Sequence, residues 1–429
     1  MLTKRFNACA LLITALLSGH TQAQGSITLN WALQQTQAHN ATLATYPYRL
    51  RQAEALVEQA GVRPSPELGL SVENAFGSGE YSHLDTAEIS LTLSQTIELG
   101  GKRQQRLQYA GAEMLQQEAE YQLTRLDVLA ETSRRYYQLL ALQAKISVNN
   151  QRQIEEAGAL KSIQQRARAG AIGQADVAKM ALRQARTQDQ GRRLQNAQIL
   201  AKLRLAAMWQ GDGNFTKAHG NLNQLPSIPN RAQVAAAVEQ SPNLLNQLAL
   251  QRLNDVALSL AQAEGRSDIS IGLGVRQFEA TNDQALLLDF SMPLAFSNPN
   301  IGRIKAAQAK ADFNSSQQLL LRRQLQLSLL EVRQQLVGAT EQAQRLQKTL
   351  LPLAQTLLSE TRIGYRQGRY SVLQWVDAQA ELFSVKAQLI EIQQQAFEQL
   401  LELERITGSA MNATVTTATT NNSEAYPDE

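Results

Sequence analysis

The stretch AEISLTLSQTIELGGKRQQRLQY, residues 87–109, holds the change of period on which the fold turns. Ala87, Ile89, Leu91 and Leu93 alternate with Glu88, Ser90, Thr92 and Ser94. A period of two puts successive side chains on opposite faces of a strand, here one apolar and one polar. Gly100-Gly101 then closes the alternation, because paired glycines punctuate regular structure. From Lys102 to about Arg168 the pattern is helical and no proline interrupts it. A helix of roughly 65 residues would be about 100 Å long, far beyond an ordinary globular helix. A strand therefore runs into a very long helix.

Upstream, Glu67 to Phe76 forms another alternating run, with Leu68, Leu70 and Val72 on one face and Gly69, Ser71 and Glu73 on the other. Gly77 to Ser82 is turn-like, and Arg63-Pro64-Ser65-Pro66 separates this hairpin from a helical stretch over 29–62. The second half repeats the plan. Ile269, Ile271, Leu273 and Val275 alternate, as do Leu286, Leu288, Phe290 and Met292. Ser291-Met292-Pro293-Leu294 answers Ser94-Gln95-Thr96-Ile97, Gly302-Arg303 answers Gly101-Lys102, and Arg366-Gln367-Gly368 answers Arg168-Ala169-Gly170. The displacement is nearly constant at about 200 residues, which indicates an internal duplication. The expected plan is a first repeat over 24–225 with its β-hairpin at 67–99, and a second over 226–410 with its hairpin at 268–294.

The long helices carry a coiled-coil spacing. Leu115, Ala119, Leu123, Leu126, Ala130, Ser133, Tyr137, Leu140 and Ala144 advance mostly by fours and threes. From Val376 the series Ala380, Phe383, Ala387, Ile390, Gln394, Phe397 and Leu401 does the same. Small residues at such seams let helices approach closely. By periodicity alone this also describes an elongated coiled coil without a channel.

The 429 residues are 43% apolar but only 5% aromatic, so Ala and Leu dominate, as suits packed long helices rather than a compact enzyme core. Residues 1–23 read as a secretory signal peptide: Lys4 and Arg5, the apolar run Ala8 to Leu17, and small residues ending at Ala23. Without those two charges the chain has 39 basic and 38 acidic residues, and no basic face of the kind nucleic acid requires. Cys9, the only cysteine, lies in the leader, and His20 stands where a lipoprotein box would need cysteine. His39, His83 and His219 are scattered and show no ligand spacing, and no hydrolase, phosphate-loop or zinc-protease motif occurs, so neither catalysis nor a cofactor is expected. The Thr-, Asn- and Ser-rich segment 411–429 reads as a disordered tail.

The strands decide between the readings. No later segment is apolar enough for a membrane-spanning helix. Strands of about 10 residues suit a tilted crossing of an outer membrane. Four strands cannot close a barrel and cannot remain an open sheet in lipid, whereas three chains would close one of about twelve. The fold class is thus mainly α with a small β part. On this expectation long antiparallel coiled-coil helices would continue the tube as a periplasmic α-barrel, and four strands per chain would contribute to a trimeric outer-membrane β-barrel.

Three stretches give this chain a resemblance to the TolC-like outer-membrane efflux factors, over essentially all of it to about Thr407. Ser94 to Arg103 (SQTIELGGKR) is similar to the strand-to-helix turn of the cobalt–zinc–cadmium branch, which serves heavy-metal pumps of the resistance–nodulation–division class. Gly368 to Gln379 (GRYSVLQWVDAQ) resembles the family's periplasmic tip motif, and Leu286 to Ile301 its second strand-to-helix turn. The resemblance implies a homotrimeric duct in the outer membrane of a Gram-negative bacterium that reaches into the periplasm. There it would dock a periplasmic adaptor (membrane fusion) protein and an inner-membrane proton-driven pump. The cargo could also be drugs, dyes or a polypeptide of type I secretion.

Matched glycine to glycine, Gly170 and Gly368 are the helix breaks at the tip. Asp176 and Tyr365 then fall on the positions that the resemblance assigns to a lock between neighbouring coiled coils. Tyr370 occupies the place of the family's arginine, with Arg369 one residue earlier. Asp377 matches one of two acidic positions ringing the aperture, and Gln374 replaces the other. A local alternative stays open for Asp176 and Asp377, which also sit near helix starts where a carboxylate favours the dipole.

Overall fold

The computed structural model describes residues 25–294 and 297–409. The expected leader and tail lie outside the described residues. The chain runs α1 (Leu29–His39), α2 (Ala41–Ala44), α3 (Tyr46–Ala60), β1 (Glu67–Glu73), β2 (Glu88–Ile97), α4 (Lys102–Arg168) and α5 (Gln174–Ala206). It continues with α6 (Arg231–Ala237), α7 (Pro242–Glu264), β3 (Ile269–Phe278), β4 (Asp283–Ser291), α8 (Ile301–Arg345), α9 (Leu351–Arg366) and α10 (Val372–Thr407).

The strands form one antiparallel sheet in the order β1-β2-β3-β4. Pairing of β2 with β3, from Glu88↔Phe278 to Ile97↔Ile269, joins two hairpins far apart in sequence. The register stacks like on like. Leu70, Leu91, Val275 and Leu286 form one transverse row, and Leu68, Leu93, Leu273 and Leu288 the next. The opposite face carries Ser71, Ser90, Arg276 and Ala285 in one row. Strand β1 ends sooner than the alternation to Phe76 suggests, because Asn74 and Phe76 both adopt positive φ and turn the chain out of the ladder.

At the foot of the sheet, Gly100 (φ +77°) and Gly101 (φ +72°) are consecutive left-handed residues, which explains the paired glycines before α4. Asp268 fastens this corner: its carboxylate accepts from Leu99 N at 3.0 Å and pairs with Lys102 Nζ at 2.8 Å. Arg106 pairs with Glu98 beside it.

The helical stretch expected over 29–62 is divided. Asn40 accepts from Thr42 N at 3.0 Å and Leu43 N at 3.3 Å, starting α2 anew, while its Nδ2 donates to Met208 O at 2.8 Å. Pro47 then lies in the first turn of α3. Ser241 ties the start of α7 to the end of α10, its hydroxyl donating to Ile406 O at 2.7 Å. Helix α4 is unbroken, whereas α8 and α9 are linked by a π turn, Leu346–Leu350. That wide turn precedes Pro352, whose missing amide and bulky ring would otherwise break an α ladder.

Along α4 the spaced residues Leu126, Ala130, Ser133 and Leu140 are buried, and Tyr137 stacks on Phe397 of α10 with centroids 4.5 Å apart. A second buried stripe, Thr132, Tyr136 and Leu139, covers another face of the helix. It packs on the segment around Ile27 and 215–219, where Ile27 N donates to Lys217 O at 2.9 Å and His219 N to Ile27 O at 2.8 Å. The Tyr136 hydroxyl lies 2.6 Å from His219 O and 3.0 Å from Ile27 O, and burial pushes its pKa up to about 12. No described helix is long and apolar enough to cross a membrane.

Candidate functional site

Two places in this architecture gather polar and charged side chains, the helical tip and the polar face of the sheet. At the tip, α4 and α9 end alike. Gly170 (φ +72°) and Gly368 (φ +78°) turn left-handed, so that Ala171 N donates to Arg166 O at 2.9 Å and Arg369 N to Gly364 O at 2.8 Å. These bonds reach back to carbonyls left free by the ending helix, and only glycine takes that backbone turn without strain. The return helices start differently. Asp176 stands in the first turn of α5, half-buried and without an ion pair among the described residues. Helix α10 opens with a capping box in which Gln374 N donates to Ser371 Oγ at 3.3 Å and Ser371 N to Gln374 Oε1 at 2.8 Å. Gln374 therefore caps the helix at the site where the resemblance puts an aperture residue.

Tyr365 is 2% exposed. Its ring stacks on Trp375 with centroids 4.9 Å apart, and the Arg166 guanidinium sits 4.2 Å above its centroid. Arg166 also donates to Arg366 O at 3.1 Å, so the end of α4 is tied to the end of α9 within one chain. Arg369 donates instead to Gln367 Oε1 at 2.8 Å, and Tyr370 lies over Gly364, where any Cβ would collide with its ring. Within one chain the structure thus brings Tyr365 and Tyr370 into the same small cluster but does not join Asp176, Tyr365 and Arg369 by direct bonds. Asp377 is exposed on α10. Burial, and then Arg152, lower the pKa of Arg183, against the opposing pull of Glu156 and Asp377. Arg166, Trp375 and Gly364 escaped the sequence reading as tip residues. The only signal for them was Trp375 inside the quoted motif, since an arginine over a ring is a tertiary event.

On the sheet, Arg276 is the centre of the polar face. Its Nη1 donates to Glu88 Oε2 at 2.7 Å, its Nε to Ser90 Oγ at 2.8 Å, and its Nη2 lies 3.5 Å from Glu73 Oε2. Asn74 Nδ2 donates to the other oxygen of Glu88 at 3.0 Å. By register, Glu67 and Asp289 belong to the same face near the foot, and Asp283 near the loops. Among the described residues no three His, Cys, Asp or Glu side chains are grouped as a metal site would need.

Residues 32–211 match the family model described as outer membrane efflux protein. The chain is similar to the cobalt-zinc-cadmium resistance protein CzcC of Cupriavidus metallidurans, at 27% identity over 393 residues, 90% of this chain and 91% of the relative. Its fold is that of the outer-membrane channel OprN (TM-score 0.75, 18% identity, 89% of this chain and 90% of that one). It is also that of the Neisseria gonorrhoeae MtrE outer membrane channel, crystallised in an open state (TM-score 0.68, 13% identity, 89% and 88%). Long paired helices under a four-stranded sheet with an apolar face are common to the sequence pattern and the fold. Over residues 32–211 the chain thus matches the outer membrane efflux protein family, and over nine-tenths of its length it is similar to a cobalt-zinc-cadmium resistance protein and has the fold of outer-membrane channels.

Proposed function

We propose that this chain forms the exit duct of a tripartite, proton-driven export system for heavy-metal cations. The observation that carries the cation reading is the polar face of the sheet. It bears Glu67, Glu73, Glu88, Asp283 and Asp289, and a single basic side chain, Arg276. If three chains close a barrel of about twelve strands around that face, its lumen is strongly negative, and such a field concentrates cations. Similarity to a cobalt-zinc-cadmium resistance protein agrees with that sign of charge. In this reading the apolar rows face outer-membrane lipid and residues 1–23 are removed on export. The two repeats supply matching coiled coils to a periplasmic α-barrel. The periplasmic adaptor and the inner-membrane pump engage its lower end, and selection among metals belongs to the pump.

The tip is the gate of this duct. Asp176 and Arg369, with Tyr370 beside them, would lock it where neighbouring chains meet, while Tyr365, buried between Arg166 and Trp375, would hold the tip of its own chain closed. The Asp377 carboxylates would ring the aperture, with Gln374 beside them spent on the cap of α10. Each charge-assisted bond of such a lock is worth about 1–3 kcal/mol, and three-fold symmetry repeats it.

Planar-bilayer recording of the purified protein tests the proposal. Under a salt gradient the reversal potential should show cation preference, with zinc or cobalt carrying current. A trimer that never conducts would leave only a scaffold, and a pore preferring anions would remove the cation assignment. Asp176→Ala with Tyr365→Phe should raise resting conductance, whereas Asp377→Asn should lower cation preference with the closed state intact.

A further inference from the structure

Polar side chains are buried on the helices that lead to the tip, α4, α9 and α10. Glu156 of α4 is 1% exposed. Its Oε1 accepts from Arg152 Nε at 2.8 Å and stands 3.8 Å from Arg183 Nε, but its Oε2 has no hydrogen-bond partner. Gln379 of α10 is 2% exposed, and neither its Oε1 nor its Nε2 is bonded. Nearer the tip, the Tyr365 hydroxyl and Trp375 Nε1 are also buried and unbonded. Around Tyr365 and Trp375 lie Ala159, Ile163, Met180 and Val376, an apolar cluster that offers no polar partner.

Buried polar atoms without partners raise the free energy of the packing that buries them. A neighbouring molecule cannot reach these atoms while the helices that bury them stay together. Water can, once the helices part. We infer that Gln379, with Glu156, is a gate-setting residue: its unbonded amide weakens the closed packing and is hydrated on opening, so the tip opens more readily than an apolar seam would allow. The inference rests on reading the tip as the gate of the duct.

The test uses a buried thiol reporter, introduced by Ala159→Cys in a chain whose one native cysteine is replaced by Cys9→Ala. The full-length trimer is reconstituted in liposomes and labelled with a water-soluble maleimide, and the same protein is recorded in planar bilayers. Gln379→Met keeps the side-chain volume and removes the amide. It should slow labelling of the reporter thiol by about tenfold and lower the open fraction in parallel, while trimer yield is unchanged. Should that variant give no trimer, Gln379→Glu, which buries a charge in place of the amide, should speed labelling by about tenfold. Unchanged rates in the variants would overturn the inference while leaving a conducting duct in place. A parent protein that passes no current would instead remove the duct reading itself.

Discussion

In the sheet, Leu286 and Leu288 are 73% and 77% exposed, in line with Leu70, Leu91 and Leu93 on neighbouring strands. In the helical segment around Tyr136 the order is reversed: Thr36, Thr132 and Ser133 are buried, and Thr132 Oγ1 bonds Thr36 Oγ1 at 3.2 Å. Both regions obey one rule with different solvents. A leucine face can stay outside where the surroundings are apolar, as lipid would be in the proposed duct, and here the polar side chains go inside where a partner awaits them. An exposed row of leucines on a single sheet would be an aggregation hazard in water. It becomes an asset in lipid.

That contrast can be broken most directly at the sheet. Leu288→Arg places a charge on an already exposed position, which would cost almost nothing if water were the neighbour. Against lipid it should cost about 2–4 kcal/mol per chain. Urea titration of folding into liposomes measures this, and a midpoint equal to the parent's would show that the row does not face hydrocarbon.

The helical waist offers the next effect. Tyr136→Phe removes the hydroxyl shared by Ile27 O and His219 O; Ile27 O keeps its bond from His219 N, and His219 O is left without the tyrosine donor. The expected loss is about 1–3 kcal/mol, read as a lower thermal midpoint. The sheet should be indifferent to the change, so an equal loss of barrel formation would mean that the two regions fold as one unit.

Glu404 on α10 sharpens the waist from another side. Burial raises its carboxyl to about 7, above the ordinary 4.5. The folded chain therefore holds a proton that the unfolded chain has released, and stability falls as pH rises from about 4.5 to 7. Discounted for partial exposure, the loss is about 1–2 kcal/mol. Denaturant midpoints should decline across that window in the parent and stay flatter in Glu404→Gln, and parallel profiles would exclude Glu404 as the cause.

Arg276→Gln should be the mildest in stability, at about 1 kcal/mol or less, because the pairs are partly exposed. Its consequence is electrical. With Glu73 and Glu88 left uncompensated, the reversal potential should shift toward stronger cation preference. A shift toward anions would place that face away from the conducting path.

The two regions also differed in how far they could be read in advance. Strand alternation at Ile89, Leu91 and Leu93, the long proline-free helix from Lys102, and the glycine breaks at 170 and 368 are local patterns, legible because period and backbone conformation depend on neighbours in the chain. The division of 29–62 was not legible, because the Asn40 amide that starts a new helix also depends on Met208 O. Gln374 drew attention as an aperture residue, yet its side chain is spent on the cap of α10. Arg166 looked like one of many helix-surface arginines until Tyr365 arrived beneath it.

By itself, then, the sequence determined which stretches are strand-like and which helical, where the glycine breaks fall, and that one sheet face is apolar and the other polar, since these follow from side-chain period and from glycine and proline geometry. Only the tertiary structure decided which partners the polar groups take. Arg276 meets Glu73 and Glu88, Tyr136 meets Ile27 and His219, and Gln379 meets none. Those pairings join residues far apart in sequence, and their strength depends on a burial that no local pattern encodes.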